Sequence, residues 1–265
     1  MTYRNIDNSS LTFEQDRRLS FEKVSHTYHV EGIGYLMSVS HVIAFFFKTF
    51  DANAISLRIT HGDAIAAERL REEWDIKGTI ANQLGTFLHK QIERYLNGEI
   101  HPEMICPIHY EGKYHQFDKT LDITREWNFF KNFDRDTEYH PFRTEWGVYN
   151  GECGIAGTID LICSRNDGTY EIYDWKRSNK INPCEKNRWE SGLHGLEHLT
   201  DTSYIHYCLQ QNLYRYLIEK KYGLKISRMN LVVLHPDYFN YRIVPIPFME
   251  REVELIIDYM CRHRK

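Results

Sequence analysis

Two aspartates and a lysine carry the strongest chemical signal in this 265-residue chain. They sit in Gly157-Thr158-Ile159-Asp160 and, beyond Asn166-Asp167-Gly168, in Asp174-Trp175-Lys176. In a hairpin centred on Asp167 the two aspartates are directly opposed, with Cβ atoms about 4.5–5.5 Å apart. Lys176, two residues beyond Asp174, shares their face. A three- or five-residue loop produces this register, whereas a two-residue Asp167-Gly168 loop would pair Asp160 with Trp175 and send the carboxylates to opposite faces. Carboxylates this close repel unless one is protonated or a cation lies between them. Hard oxygen ligands suit Mg²⁺ or Mn²⁺, and a neighbouring ammonium can orient a water nucleophile or stabilise a pentacovalent phosphate. The competing reading is a solvated hairpin with Asp174 paired to Lys176 or Arg177. The flanking Ile159, Leu161, Ile162, Ile172 and Tyr173 ask for burial on both faces and count against it.

Three further groups of residues could join that chemistry. Gly85, His89 and Glu93 recur every fourth position, on one helix face beside the apolar stripe Leu84, Leu88, Ile92 and Leu96. The glycine leaves space next to the imidazole, which could be a metal ligand with Glu93 holding its other nitrogen; a satisfied helix histidine is the plainer alternative. Gln210 and Tyr214, also four apart, can both hydrogen-bond a phosphate or a base. Glu145 lies on the strand before Asp160 and can reach the same pocket. A different chemistry is suggested by His194-Gly195-Leu196-Glu197-His198, which fits an H-x-x-E-H zinc-peptidase pattern. Gly192 and Gly195 weaken the helix such a motif needs.

The elements that must position these residues can be read from periodicity and turn chemistry. Residues 19–37 read as a hairpin around Glu31-Gly32-Ile33-Gly34. A helix capped at Ser38-Val39-Ser40 follows to about Phe47, then one from Asp51 to about Glu73, and one opened by Asn82 and closed by Asn97-Gly98. A fourth helix is expected from His115 to Phe133. Strands at 138–149, 154–164 and 169–175 form a meander, followed by an irregular stretch at 179–202 and a helix from Tyr204 to Tyr222. Strands at 228–234 and 241–245 and a helix from Met249 to Cys261 complete the chain. The expected class is α/β or α+β: a central mixed sheet flanked by helices with a helical N-terminal part, in one domain over 1–265 whose catalytic sheet and helix occupy 138–247.

Composition bounds the function classes. Hydrophobic residues at 42% and charged residues at 26% describe a globular chain. The net charge of −4 argues against a broadly basic nucleic-acid-binding face. Locally the balance reverses, because Lys176, Arg177, Lys180, Lys186 and Arg188 are opposed only by Glu185 and Glu190. The six cysteines form no C-x-x-C pair, so no zinc or iron–sulfur site is expected and the thiols read as reduced. No apolar run is long enough to span a membrane, and Met1 to Asp7 lack an apolar signal core, so a cytoplasmic protein is expected.

Taken in order, the motifs resemble the PD-(D/E)XK nuclease superfamily, in particular its RecB-like exonuclease branch, which includes phage and bacterial exonucleases and relatives of the mitochondrial genome maintenance exonuclease. The matching residues are G-T-x-L-H-x-x-I-E (Gly85 to Glu93), the strand glutamate Glu145, G-T-I-D (Gly157 to Asp160), D-W-K-R-S (Asp174 to Ser178) and Q-x-x-x-Y (Gln210 to Tyr214). Ser20-Phe21-Glu22, His26-Thr27-Tyr28 and Ser38-Val39-Ser40 fit the opening of such proteins, so the resemblance spans roughly residues 20–247. It implies a restriction-endonuclease-like core and a Mg²⁺- or Mn²⁺-dependent exonuclease of DNA processing, repair or recombination. His89, Asp160, Asp174 and the Trp175 carbonyl would ligate the metal, with Glu145 assisting. Lys176 would act on the attacking water, and Gln210, Tyr214, Arg177 and Ser178 would meet DNA. Asp174 stands where glutamate is commoner, and the four-cysteine iron–sulfur signature of some members is missing. A sequence- or structure-specific endonuclease of the same fold is the alternative.

Overall fold

A computed structural model describes residues 13–22, 27–99, 101–187 and 190–263. His26 and Arg188, both used above, lie outside them. The elements run α1 (Glu14–Arg18), β1 (Leu19–Glu22), β2 (Thr27–Val30), β3 (Gly34–Ser38), α2 (Val39–Phe45), α3 (Ala52–Ile59) and α4 (Ala64–Leu96). Then follow β4 (Ile105–Glu111), β5 (Gln116–Asp122), α5 (Thr124–Asp136), β6 (His140–Asn150), β7 (Ile155–Ser164) and β8 (Tyr170–Lys176). The remainder is α6 (Ser203–Leu217), β9 (Ile226–Val233), β10 (Arg242–Pro245) and α7 (Glu250–His263). The strands other than β4 and β5 form one mixed sheet in the order β1-β2-β3-β7-β8-β9-β10, with β6 also on β7. This is the expected α/β class with a central mixed sheet between helices.

Each face of the sheet is covered by its own apolar layer, as two-faced burial requires. On one side Ile159, Ile162, Ile172, Leu231 and Val233 pack with Val42 and Phe46, with Leu209 and Leu213 of α6, and with Ile256 of α7. On the other, Leu161, Cys163, Tyr173, Trp175 and Val232 pack with Leu84, Leu88 and Ile92 of α4 and with Phe130 and Phe133 of α5. The apolar stripe of the histidine helix is therefore what fixes that helix to the sheet.

The β7–β8 hairpin has the register expected for a loop centred on Asp167. Leu161 pairs with Tyr173, Ile162 with Ile172 and Ser164 with Tyr170, and residues 165–169 form the five-residue loop. Gly168 adopts φ +78° there, a conformation that L residues with a Cβ resist.

Several boundaries differ from the sequence reading. The 19–37 segment is a three-stranded meander, because β1 pairs with β2 as β2 pairs with β3. The helix opened by Asp51 stops at Ile59, where His61 and Gly62 take φ +52° and +88°. Asp63 then caps α4 by accepting the Ile65 and Ala66 N–H groups. That helix continues unbroken through Asn82, since its second half packs on the sheet through Leu84, Leu88 and Ile92 and its first half is held by Glu72 on the β4–β5 hairpin, which together override the weak helix preference of Asn and of Gly78. The helix expected from His115 begins only at Thr124; residues 105–122 are instead the β4–β5 hairpin. Its signal was period two, with Cys106, Ile108 and Tyr110 buried and their neighbours exposed. Glu72 of α4 ties the hairpin's turn down by accepting the N–H groups of Tyr114 and His115 at 2.8 and 2.9 Å.

Cys153 and Cys261, read as free thiols, form a disulfide with Cα atoms 4.6 Å apart. Their 108-residue separation hid the pairing. Among the described residues no helix is long and apolar enough to cross a membrane.

Candidate metal centre

The site forms where the sheet comes apart. β6 pairs with β7 from Ile155 to Ser164. On the other edge of β7, β3 reaches only Ile155 and Ala156 while β8 begins at Leu161, so Gly157 to Asp160 border a gap. The backbone kinks at this height on both sides. The β6–β7 ladder passes from Thr144↔Leu161 to Trp146↔Ile159, omitting Glu145 and Asp160 between them. Ile159 and Leu161, two apart on one strand, belong to opposite apolar layers, which a regular strand does not allow. Glu145 has φ +44°. For a residue of its kind that conformation costs about 1–3 kcal/mol and is found where surroundings impose it, commonly at functional sites.

Three side chains from three elements converge there. Donor atoms of His89 (α4), Glu145 (β6) and Asp160 (β7) lie within 4.8 Å of one another. Nδ1 of His89 is 3.4 Å from Oδ2 of Asp160, and that same oxygen accepts the Trp175 N–H at 2.9 Å. Asp160 thus bridges the diverging strand to the histidine helix. A Cβ added at Gly85 would meet nothing within 4 Å, so the space expected one turn from the imidazole is present. One imidazole nitrogen and clustered carboxylate oxygens form a donor set that fits Mg²⁺ or Mn²⁺.

Asp174 and Lys176 stand across the gap. Their carboxylate Oδ2 and ammonium Nζ are 2.6 Å apart, and Asp174 Oδ1 accepts from Gln211 Nε2 at 2.9 Å. The ammonium also sits 4.7 Å from the centroid of the Tyr207 ring, close enough for a cation–π attraction. The converging set is therefore His89, Glu145 and Asp160, while Asp174, expected as a ligand, is engaged by Lys176 and Gln211.

The charges account for themselves. Burial, joined by the neighbouring Asp160 charge, pushes Glu145 up to about 8. Burial also raises Asp174 to about 6; Lys176 opposes the rise and Asp160 adds to it. For His89 burial favours the neutral ring, but the Asp160 carboxylate outweighs it and lifts the imidazole to about 9. Asp160 is held below the usual carboxylate range because the His89 charge and hydrogen bond overcome its burial. Lys176 is held protonated against its burial by Asp174 and Asp160. The cluster holds three carboxyl groups against two cations, and Glu145 keeps its proton at neutral pH in the metal-free protein; a bound divalent ion would favour its ionisation.

A pH dependence follows for the metal-free protein. The folded pKa of Glu145 lies above its unfolded value of 4.5, so the folded state binds the proton more tightly. Its contribution is fully present below the unfolded value and is lost as pH rises to about 8. His89, raised from 6.5 to about 9, is also favourable below its unfolded value and loses that contribution on the way up to about 9. The melting midpoint in chelator should therefore fall from about pH 5 to about pH 9. Glu145→Gln should flatten the acid half of that slope, and saturating Mg²⁺ should lift the alkaline end by several degrees. Calorimetry across this range checks both.

The remaining expected residues fall into three places. Gln210 Nε2 donates to the Tyr214 hydroxyl at 3.2 Å, so the Q-x-x-x-Y pair closes on itself. The Tyr214 ring lies where a Cβ on Gly157 would come within 2.5 Å of it, so Gly157 is what lets α6 pack against the gap. Gly157→Ala should destabilise the fold by about 1–3 kcal/mol through overpacking, read as a lowered denaturant midpoint. Arg177 Nε is paired with the buried Glu126 at 2.8 Å, and Ser178 Oγ accepts the Lys180 N–H at 3.2 Å. Glu93 adds its charge to the field at Glu145. The zinc-peptidase reading is overturned. Residues 194–198 form turns rather than a helix, Glu197 accepts the Gly195 N–H, and His198 is paired with Glu252 at 2.8 Å.

Sequence reasoning missed Gln211, Tyr207 and Tyr28. The first two share the α6 face of Tyr214, at i, i+4 and i+7, and that stripe was the available signal. Tyr28 reaches the gap from β2, its hydroxyl 2.9 Å from Thr158 Oγ1, and no local pattern announces it.

No family model matches the chain, and no curated protein matches it. Among solved structures it is similar to the protein SSO0001, at 13% identity and TM-score 0.33, over 86% of this chain and 76% of that one. It is also similar to a chain from Eubacterium rectale provisionally described as an exonuclease, at 13% identity and TM-score 0.44. That match covers 68% of this chain and just under two thirds, 64%, of the other. Likenesses this slight carry no functional argument; the chemistry of the gap does.

Proposed function

We propose that this protein is a Mg²⁺- or Mn²⁺-dependent deoxyribonuclease, an exonuclease hydrolysing phosphodiester bonds in DNA processing, repair or recombination. The observation that carries the reading is the convergence of His89, Glu145 and Asp160 within 4.8 Å in a gap of the sheet, with the Asp174–Lys176 pair across it. The resemblance of the ordered motifs to RecB-like PD-(D/E)XK exonucleases supports the choice of DNA and of exonuclease action. His89, Glu145, Asp160 and, on approach of substrate, Asp174 would hold the ion. A divalent cation held by these residues would supply Lewis-acid chemistry: neutralisation of the phosphodiester charge, a more acidic water and charge stabilisation at the leaving oxygen.

The chain's own residues supply the rest. Lys176 stays protonated in its carboxylate surroundings and offers a positioned ammonium to the attacking water and to the charge developing on the phosphate. Gln211 and Tyr207 restrict Asp174 and Lys176 to one arrangement. Trp175 orients Asp160 through its backbone N–H. Tyr214, buried against Gly157, would support the wall of the gap, and Arg177 and Ser178 at the end of β8 would meet the DNA backbone.

The test is a digestion series with 5′- and 3′-labelled linear single- and double-stranded DNA beside closed circles, in Mg²⁺ or Mn²⁺. Progressive shortening of linear DNA with intact circles is expected. Equal cleavage of circles and linear DNA would overturn exonuclease action, and no metal-dependent cleavage of any substrate would overturn the assignment.

A further inference from the structure

Glu145 holds a backbone conformation that its own chemistry disfavours, with φ +44°, so something outside the residue must impose it. The residues on either side of it show what does. In a regular strand Arg143 and Trp146, three apart, would point to opposite faces. Here both reach one carboxylate, that of Asp16 on α1: Arg143 Nη1 lies 3.3 Å from Oδ2 and Trp146 Nε1 donates to Oδ1 at 2.9 Å. A kink that swaps the faces of the strand between them accommodates this, and the residue at the kink is Glu145, between the Thr144↔Leu161 and Trp146↔Ile159 pairs.

The anchor is well built. Arg143 and Trp146 are both buried. The guanidinium lies 5.0 Å from the Trp146 ring centroid and 5.8 Å from that of Phe13, and Phe13 packs on Trp146 and Tyr222 with centroids 5.4 and 5.3 Å away. Asp16 itself is fixed by its N–H, which donates to the Phe13 carbonyl at 3.0 Å. The guanidinium is buried and Asp16 half-buried, so removing the Asp16 carboxylate takes an opposite charge from a cation that has little water around it. Leu19, Asp16, Arg143 and Trp146 line one small cavity together with Glu145 itself.

We propose that Asp16 is a positioning residue for the metal centre: by clamping Arg143 and Trp146 it turns Glu145 into the gap, so that the segment from Phe13 to Arg18 sets the affinity for the divalent ion. The proposal rests on the reading of Glu145 as a metal ligand. Asp16 touches none of the converging donor atoms and acts only through the strand. No signal in the sequence links residue 16 to residue 145.

The test measures Mn²⁺ affinity of the full chain by electron paramagnetic resonance, in wild type, Asp16→Asn, Glu145→Gln and the double variant. A milder variant, Trp146→Phe, removes one donor and keeps the Asp16–Arg143 pair. Melting midpoints of all five proteins show which are folded. Asp16→Asn is expected to weaken Mn²⁺ binding about tenfold, in the range found when groups supporting a ligand are removed. Trp146→Phe should weaken it less and in the same direction. Because Asp16 acts through Glu145, Asp16→Asn should cause no further loss once Glu145 is glutamine. Should Asp16→Asn fail to fold, Trp146→Phe alone and in the Glu145→Gln background gives the same cycle. Weakened binding in Glu145→Gln with wild-type affinity in Asp16→Asn or, if that is unfolded, in Trp146→Phe overturns the proposal alone, as does an equal loss in both backgrounds. Wild-type affinity in Glu145→Gln, or no Mn²⁺ binding by wild type, overturns the metal-centre reading and the proposal with it.

Discussion

Lys176→Ala should lower Mg²⁺-dependent DNA hydrolysis by about 10³-fold, the effect of losing a preorganised charge aimed at the reacting phosphate, while Mn²⁺ affinity changes by less than about tenfold. The split follows from where the ammonium sits. Lys176 is 2.6 Å from Asp174 and above the Tyr207 ring, and is not one of the three residues whose donor atoms converge. Removing it frees Asp174 to meet the cation, which offsets part of any loss in binding. Single-turnover rates beside Mn²⁺ titrations separate the two effects. A variant that retains hydrolysis within tenfold of wild type would remove Lys176 from the chemistry, and one that loses metal binding and hydrolysis together would place it in the metal site instead.

Asp160→Asn should lower the His89 pKa from about 9 by more than about one unit in metal-free protein, because it removes the largest influence favouring the charged ring. The ring is buried, and burial alone opposes its charge. Asp160, through charge and a hydrogen bond, does most to hold it protonated against that burial and the repulsion from Lys176, and Glu145 adds a smaller charge in the same direction. The amide also loses the negative oxygen that accepts the Trp175 N–H, so Mn²⁺ affinity should fall at least tenfold. Titration of the His89 ring by proton NMR reads the first effect directly. A His89 pKa unchanged in Asp160→Asn would mean the two side chains do not meet in solution.

What the sequence made legible was whatever depended on local pattern. Period-two runs and the Asn166-Asp167-Gly168 turn placed β7 and β8 and, with the resemblance, their register, because a slip by one residue would have moved Ile162 and Ile172 out of their layer. The four-residue stripe through Leu84, Leu88 and Ile92 placed His89 on a helix against the sheet for the same reason. The parts that stayed hidden are those set by contacts between distant residues. Nothing near Asn82 reveals that α4 has already run for about five turns, since its first half is held by Glu72 gripping the turn of a hairpin some forty residues on. The disulfide of Cys153 with Cys261 and the Asp16 clamp on Arg143 and Trp146 are of this kind.

The centre itself was legible in its members and less so in its grouping. His89, Glu145, Asp160, Asp174 and Lys176 were all identifiable as site residues, but strand register alone pairs Asp160 with Asp174. Glu145 joins His89 and Asp160 because the strand kinks at that residue, and a backbone outlier leaves no trace in residue spacing. Asp174 meanwhile is drawn toward Lys176 and Gln211, contacts that depend on which face of α6 meets the gap. The acidic net charge of the chain is consistent with a confined groove whose excess carboxylates a divalent ion would balance, rather than with a broad basic surface.

The claim that these residues form a metal-dependent phosphodiester hydrolase is tested most directly by the release of acid-soluble nucleotides from linear DNA. The comparison is wild type in Mg²⁺, wild type in chelator, and Asp160→Ala in Mg²⁺ at equal concentration of folded protein. Release is expected from wild type in Mg²⁺, with none above background in the other two. Release by Asp160→Ala at the wild-type rate, or by wild type in chelator, would contradict it.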